Sequence, residues 1–228
     1  MGEAVIKRLM IRRGIHWVVF LLLVLTSRAF TQPPFDEKGQ FASSNLVRVT
    51  SLDSTIRLDI RYATPNNFMH RAMYGQAAAY LQRPAAEALV RVSRSLHRRG
   101  FGLLVFDAYR PWSVTKQFWD ATPRDKRRFV ADPAKGSVHN RGCAVDLSLY
   151  DLASGNEITM PSPFDDFTVH ASPHFTGGTM KQRAMRDLLR HAMEREGFRV
   201  DKNEWWHFNY EEWRRYRVLD IPFEKLTP

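Results

Sequence analysis

Apolar and charged residues alternate along residues 56–62, where Ile56, Leu58 and Ile60 interleave with Arg57, Asp59 and Arg61. A period of two predicts a half-buried strand there. Residues 46–49 make a shorter β-like stretch, and residues 66–75 read as a loop rich in aromatics and Met. Leu89, Val92 and Leu96 recur at helical spacing across residues 84–99, with Pro84 in the first turn and Gly100 as a stop. A second long helix is predicted over residues 179–196. Met185, Leu188, Leu189, Ala192 and Met193 share one of its faces, and Gly197 caps it. Between the two helices, GLLVFD at 102–107 is a short apolar strand running into the charged turn DAYRP. Residues 112–120 and 124–130 read as helical segments, and residues 144–150 (AVDLSLY) as a strand. Residues 198–200 and 204–210 predict a hairpin around Asp201, Lys202 and Asn203. With no internal repeat and no interdomain linker, helices segregated from a largely antiparallel sheet give a single-domain α+β fold.

The first residues change the picture of where this domain works. Lys7, Arg8, Arg12 and Arg13 precede a ten-residue apolar run, WVVFLLLVLT, and Ser27-Arg28-Ala29 forms a small-x-small site before Phe30. Residues 1–29 therefore read as a secretory signal peptide, with an apolar run short for a bilayer span. An uncleaved N-terminal anchor is the alternative on the same pattern. Residues 30–45 read as a flexible lead-in and 46–228 as the folded domain. Cleavage removes five Lys/Arg and one Glu, so the charge falls from +10 to +6 on 199 residues, enough for one domain with a full core. The basic residues are scattered over predicted helix faces (RVSRSLHRRG, PRDKRRF) without a recognition motif, which excludes a nucleic-acid partner. The expectation is an exported protein, periplasmic or secreted, with no stable membrane insertion after cleavage. One cysteine, Cys143, leaves no internal disulfide. Flanked by Gly142 and Ala144, it reads as a small packing residue rather than a ligand or nucleophile.

The chemistry is concentrated in two stretches. SVHNRGCAVD supplies His139 and Asp146, and EWWHF supplies Glu204 and His207. Two imidazoles and a carboxylate can hold one catalytic Zn²⁺ per chain with a fourth position open, and a spare glutamate can handle protons. Positions i and i+3 point to opposite faces of a regular strand, so Glu204 and His207 on one strand require a bend or bulge. Of the other histidines, His16 falls in the leader, and His70, His97 and His191 read as loop or helix-surface residues. His170 and His174 are rival ligands, but no carboxylate stands at a ligand spacing from them. Arg110, at the end of the 102–107 strand, is either a donor to a developing oxyanion or one half of a structural ion pair with Asp107.

Five blocks occur in order: RYATPNNF at 61–68, FDAYRP at 106–111, SVHNRGCAVDLSLY at 137–150, Phe164-Asp165, and EWWHF at 204–208. In these the chain resembles the zinc D-alanyl-D-alanine dipeptidases of the VanX type. The resemblance frames about 150 residues. It implies hydrolysis of the small dipeptide D-Ala-D-Ala at a zinc ion held by His139, Asp146 and His207. Glu204 is then the catalytic base and Arg110 the transition-state stabiliser. The same resemblance assigns Tyr62 and Asp165 to the substrate's free amino end, Ser137 to a substrate contact, and Asp107 to the support of Arg110. The segment after Asp165, DFTVHASPHF, departs from the pattern in detail. Two rivals remain: a D,D-carboxypeptidase or endopeptidase acting on longer wall peptides, and a non-catalytic zinc-containing binding module of the Hedgehog type. The presence of both Glu204 and Arg110 favours an enzyme.

Overall fold

The structure is a computed structural model that describes Pro33 and residues 36–226; the leader reading of residues 1–29 lies outside the described residues. In chain order the elements are β1 (Leu46–Arg48), α1 (Val49–Leu52), β2 (Arg57–Leu58), β3 (Tyr80–Gln82), α2 (Arg83–His97), β4 (Phe101–Asp107), α3 (Trp112–Ala121), β5 (Ala144–Asp151), α4 (Met180–Glu194), β6 (Phe198–Val200) and β7 (His207–Tyr210). Five strands form one sheet in the order β2-β4-β5-β7-β6, and β1 pairs with β3 in a separate two-stranded ribbon. All pairings are antiparallel except β2 with β4, whose connection passes through α2. This is the α+β class expected from the sequence. No helix among the described residues is long and apolar enough to cross a membrane.

The sheet is covered where its apolar positions fall in register. Leu103 faces Leu149 and Val105 faces Leu147 across β4 and β5. These side chains are fully buried in one cluster with Leu89, Val92 and Leu96 of α2 and Leu189, Ala192 and Met193 of α4. Each such side chain contributes roughly 1.5–3 kcal/mol by leaving water. The predicted apolar faces of both long helices are thus the faces that pack. Helix α4 starts with a reciprocal cap: the Thr179 hydroxyl accepts from Gln182 N (3.2 Å), and the Gln182 side chain accepts from Thr179 N (2.7 Å).

The strand expected over 56–62 is shorter than its alternation suggested. Ile56 and Ile60 are buried as that pattern requires, but only Arg57–Leu58 pairs with β4. The last bond of the pairing is Asp59 N to Val105 O, 2.9 Å. Beyond it the chain bonds to itself instead of to β4, with Ala63 N donating to Ile60 O (3.0 Å) as it turns through a 3-10 helix at Arg61–Ala63. Arg124–Phe129 is likewise a 3-10 stretch rather than an α-helix.

A one-turn 3-10 helix, His139–Arg141, leads into β5 and ends at Gly142 with φ +67°. Only glycine adopts this left-handed conformation without penalty. A Cβ there would also meet Leu46 Cδ2 at 2.3 Å. Gly142 therefore sets the angle at which the His139 turn enters the sheet. Residues 36–45 carry no regular element, although Ala42 N donates to Arg215 O (2.8 Å).

Candidate active site

Three acidic or imidazole side chains stand in a row because the register puts them there. Asp107 is opposite Asp146 across β4 and β5, and Asp146 is opposite His207 across β5 and β7. Directly paired residues share a face, so all three project to the same side of the sheet. The irregularity in β4 lies immediately before Asp107, next to this row. His139 joins from the turn before β5, 1% exposed.

The ring orientations follow from their outer hydrogen bonds. His139 Nδ1 lies 2.6 Å from the carbonyl oxygen of Ala108, which can accept only from a protonated nitrogen. His207 Nε2 lies 3.0 Å from Asn209 Oδ1 and is assigned the proton in the same way. The bare lone pairs are then His139 Nε2 and His207 Nδ1, 3.1 Å apart. Asp146 Oδ1 is 3.3 Å from the first and 3.0 Å from the second. It is buried and accepts no well-directed hydrogen bond from either ring or from any other described residue. Three such atoms can converge only around a positive charge, either a proton on a ring nitrogen or a metal ion in place of it. A tetrahedral ion with bonds near 2.05 Å spaces its ligand atoms about 3.3 Å apart, and the observed edges match that spacing. The residues present therefore fit a metal ion held by His139, Asp146 and His207, the group whose ligand atoms all lie within 4.8 Å of one another. The two rival histidines, His170 and His174, are exposed and outside this group.

Glu204 stands at the edge of the triangle, its Oε2 3.8 Å from His207 Nδ1. The expected strand over 204–210, with a bulge to bring both side chains to one face, is not what is found. Strand β7 begins at His207, and Glu204 belongs to the turn before it, with His207 N donating to Glu204 O at 3.4 Å. A turn places i and i+3 side by side without any bulge in β7. Trp205 and Trp206, 2% and 1% exposed, anchor this turn in the core as packing walls. The Trp205 indole N–H donates to Ser162 Oγ (3.1 Å), and Trp206 O accepts from Leu147 N (3.1 Å).

Arg110 is both an ion-pair partner and a wall of the site. Its Nε and Nη2 clamp Asp107 Oδ2 at 3.0 and 2.7 Å, and Nη2 is 3.9 Å from Asp146 Oδ2. The other oxygen of Asp107 accepts from the Tyr74 hydroxyl (2.8 Å) and from Ala108 N (2.9 Å). The guanidinium lies over the Phe118 ring, 4.8 Å from its centroid. On the far side the Tyr62 hydroxyl donates to Asp165 Oδ2 at 2.9 Å. Asp165 holds its carboxylate in place from a left-handed backbone position, φ +58°. Ser137 Oγ accepts from His139 N (3.2 Å) at the rim. All these side chains except Asp107 and Tyr74 line one cavity of about 70 Å³, walled also by the aromatic rings of Phe68, Phe129 and Phe167.

Environment separates the carboxylates. Burial alone would raise the Asp146 carboxyl, but His139 and His207 beside it hold it well below the usual range. Burial pushes Glu204 up to about 8, against the pull of the His207 ring. Burial also pushes Asp165 up to about 7, against the Tyr62 hydrogen bond. For His207 burial acts downward, and the Asp146 carboxylate overcomes it and takes the ring up to about 9. Burial would lower Arg110, and its Asp107 partner raises it well above its ordinary value. Cys143 is fully buried and its thiol is pushed up to about 12 by that burial, so it is an inert packing residue.

Several supports escaped the sequence reading. Asn209 follows His207 by two on the same strand, so strict alternation could have found it. Tyr74, 33 residues from Asp107, and Asn140, whose amide donates to Arg110 O (2.8 Å) and Thr115 Oγ1 (2.8 Å), carry no such signal.

Two imidazoles and a carboxylate that could hold a metal ion, beside a spare carboxylate, match the construction of a metallopeptidase centre. The chain belongs to the peptidase M15 family of D-Ala-D-Ala dipeptidases, whose profile matches residues 42–220. It is 31% identical over 183 residues to a D-alanyl-D-alanine dipeptidase of Escherichia coli K12, covering 79% of this chain and 92% of that one. A D-alanyl-D-alanine dipeptidase of Enterococcus faecalis V583 is 33% identical over 187 residues, covering 74% and 88%. One from Streptomyces coelicolor is 31% identical over 182 residues, covering 72% and 90%.

The Asp107–Arg110 pair yields a stability test. Asp107→Asn removes the carboxylate that clamps buried Arg110, leaving it only the more distant Asp146, and is expected to cost about 3 kcal/mol. Urea unfolding followed by tryptophan fluorescence measures it, and a loss under about 1 kcal/mol, the scale of an exposed pair, would contradict a buried one.

Proposed function

We propose that this chain is a zinc-dependent peptidase that hydrolyses D-Ala-D-Ala to two D-alanines. One Zn²⁺ would be held by His139 Nε2, Asp146 Oδ1 and His207 Nδ1. The observation that carries the reading is the triangle of bare ligand atoms, 3.0–3.3 Å on its edges, with Glu204 beside it. Two imidazoles and one carboxylate are a donor set that suits zinc. Zinc bound there would supply Lewis acidity and an attacking water activated near neutral pH.

The chain's own residues do the rest. The Glu204 carboxylate takes the proton of the attacking water and passes it to the nitrogen of the breaking peptide bond, so that the second D-alanine leaves as an amine. Arg110, locked by Asp107, offers guanidinium N–H groups to the carbonyl oxygen as that atom gains negative charge. Asp165 and the Tyr62 hydroxyl receive the free ammonium of the dipeptide, and Ser137 contacts substrate at the rim. The aromatic wall beside Asp165 and Tyr62 supports a dipeptide over a longer wall peptide. The leader supports export, which would put the enzyme outside the cytoplasmic membrane as a scavenger of wall dipeptide.

Protein purified without added metal is expected to carry one zinc per chain by elemental analysis. Glu204→Gln should keep that zinc and lose about 10²–10⁴ in kcat. A Glu204→Gln enzyme that stayed nearly fully active would remove the proposed mechanism.

Substrate length separates a dipeptidase from a carboxypeptidase. Acetylation of the substrate's amine strips Asp165 of its positive partner in a buried site. N-acetyl-D-Ala-D-Ala should therefore be poorer by about tenfold to a hundredfold in kcat/KM, and Asp165→Asn should narrow the gap. Equal hydrolysis of free and acetylated dipeptide would favour the carboxypeptidase.

Intact-mass measurement on protein from the native host should find a chain beginning at Phe30. A mass that still included residues 1–29, recovered with the membrane, would favour the anchor.

A further inference from the structure

The turns that carry Arg110 and His139 are tied to each other and then clamped from outside the cavity by one stretch, residues 216–221. Arg110 N donates to His139 O at 3.2 Å. Leu219 N donates to Asn140 O (2.9 Å), and Leu219 O accepts from Trp112 N (3.1 Å). Asp220 Oδ1 accepts from Ser113 N (2.9 Å) and from Ser113 Oγ (2.7 Å). The Tyr109 hydroxyl accepts from Ile221 N (2.8 Å) and donates to Ile221 O (3.0 Å).

This stretch is itself fastened by one carboxylate from the lead-in. Glu37 Oε2 accepts from Val218 N (2.7 Å), Glu37 O accepts from Arg217 Nη1 (2.9 Å), and Glu37 Oε1 pairs with Arg141 Nη2 at 2.5 Å. Arg141 belongs to the same single 3-10 turn as His139 and is 7% exposed. Its Nη1 bonds the Tyr216 carbonyl, and its guanidinium lies 5.2 Å from the Trp213 ring centroid. Among the described residues, Glu37 is the carboxylate within ion-pair distance of Arg141. Glu37 precedes residue 42, so it lies outside the span matched by the family profile.

We propose that Glu37 is a positioning residue for the metal centre, acting through Arg141 on the turn that presents His139. The inference rests on the reading of the ligand triangle as a metal site. A buried guanidinium without a counter-charge relieves itself by swinging toward water. A swing of Arg141 breaks its bond to the Tyr216 carbonyl along with the ion pair, and so removes the side-chain ties between residues 216–218 and the turn that Arg141 shares with His139. Metal ligation tolerates displacements of only about 0.2 Å, so a small shift of the turn loosens the grip of His139 Nε2. The lead-in thereby completes the catalytic domain, and the segment that follows the leader controls the metal site from outside the cavity.

The test uses the full chain with Glu37→Gln, which keeps an acceptor for Val218 N and removes the charge. Metal retention is read by competition with a chelator, without substrate. It should weaken by about tenfold, the lower end of the effect of outer partners on metal affinity. The value of kcat at limiting zinc should fall with it, and by more than KM rises, because Tyr62 and Asp165 belong to other elements and only the Ser137 contact is bonded to the turn. Metal retention and kcat within about twofold of wild type, whatever happens to the thermal midpoint, would make Glu37 a structural tie and overturn the proposal. If Glu37→Gln does not fold, Glu37→Asp, which keeps the charge and shortens its reach, decides on the same criterion. A wild-type chain that held metal but cleaved no dipeptide would remove the peptidase reading and leave the Glu37 assignment to be decided by metal retention alone.

Discussion

The structure depends on the cost of burying the Asp146 carboxylate between two imidazoles. Asp146 is 3% exposed in the middle of the central strand, where an unpaired charge is among the most expensive groups a fold can hold. Its Oδ1 faces His139 and His207 without a well-directed proton, and its Oδ2 lies 3.9 Å from Arg110. Every neighbour of this carboxylate is fixed by a further contact: Ala108 O fixes His139, Asn209 fixes His207, and Asp107 fixes Arg110. Such outer contacts decide which nitrogen presents a lone pair and how accurately.

Around this point the acids divide by environment. Asp146 is held ionised by the rings, whereas Glu204 and Asp165, facing the cavity, are raised by burial to about 8 and about 7. Carboxylates with separated affinities for protons can take separate tasks within a few ångströms of each other. A cation at the ligand triangle would lower Glu204, moving it toward the range of a base at neutral pH. Tyr62, by contrast, is held protonated, since burial raises its hydroxyl well above its ordinary value, and it donates to Asp165.

The scaffold divides its labour in the same manner. The sheet supplies Asp107, Asp146 and His207 in register, and the turns at its edge supply Arg110, His139 and Glu204. Strands are held by their ladders and need no other help. The turns have no ladder, and they are the parts held by side-chain bonds and by residues 216–221.

The amino-acid sequence alone determined the fold class, both long helices with their packed faces, and the residue types brought together at the site. Helical and strand periods report which face is buried, and the spacing in SVHNRGCAVD and EWWHF reports ligand chemistry. It misjudged Glu204, because a period cannot tell a strand from the turn that begins it, and it overextended the 56–62 strand, because alternation reports burial and not whether a partner strand continues alongside. Tertiary structure alone decided which atoms converge, how small the cavity is, and which residues support it. Tyr74 reaches Asp107 across 33 positions and Glu37 reaches Arg141 across 104. Contacts at such separations leave no periodic trace in the chain, because they arise only when elements that satisfied their own local patterns are packed against one another.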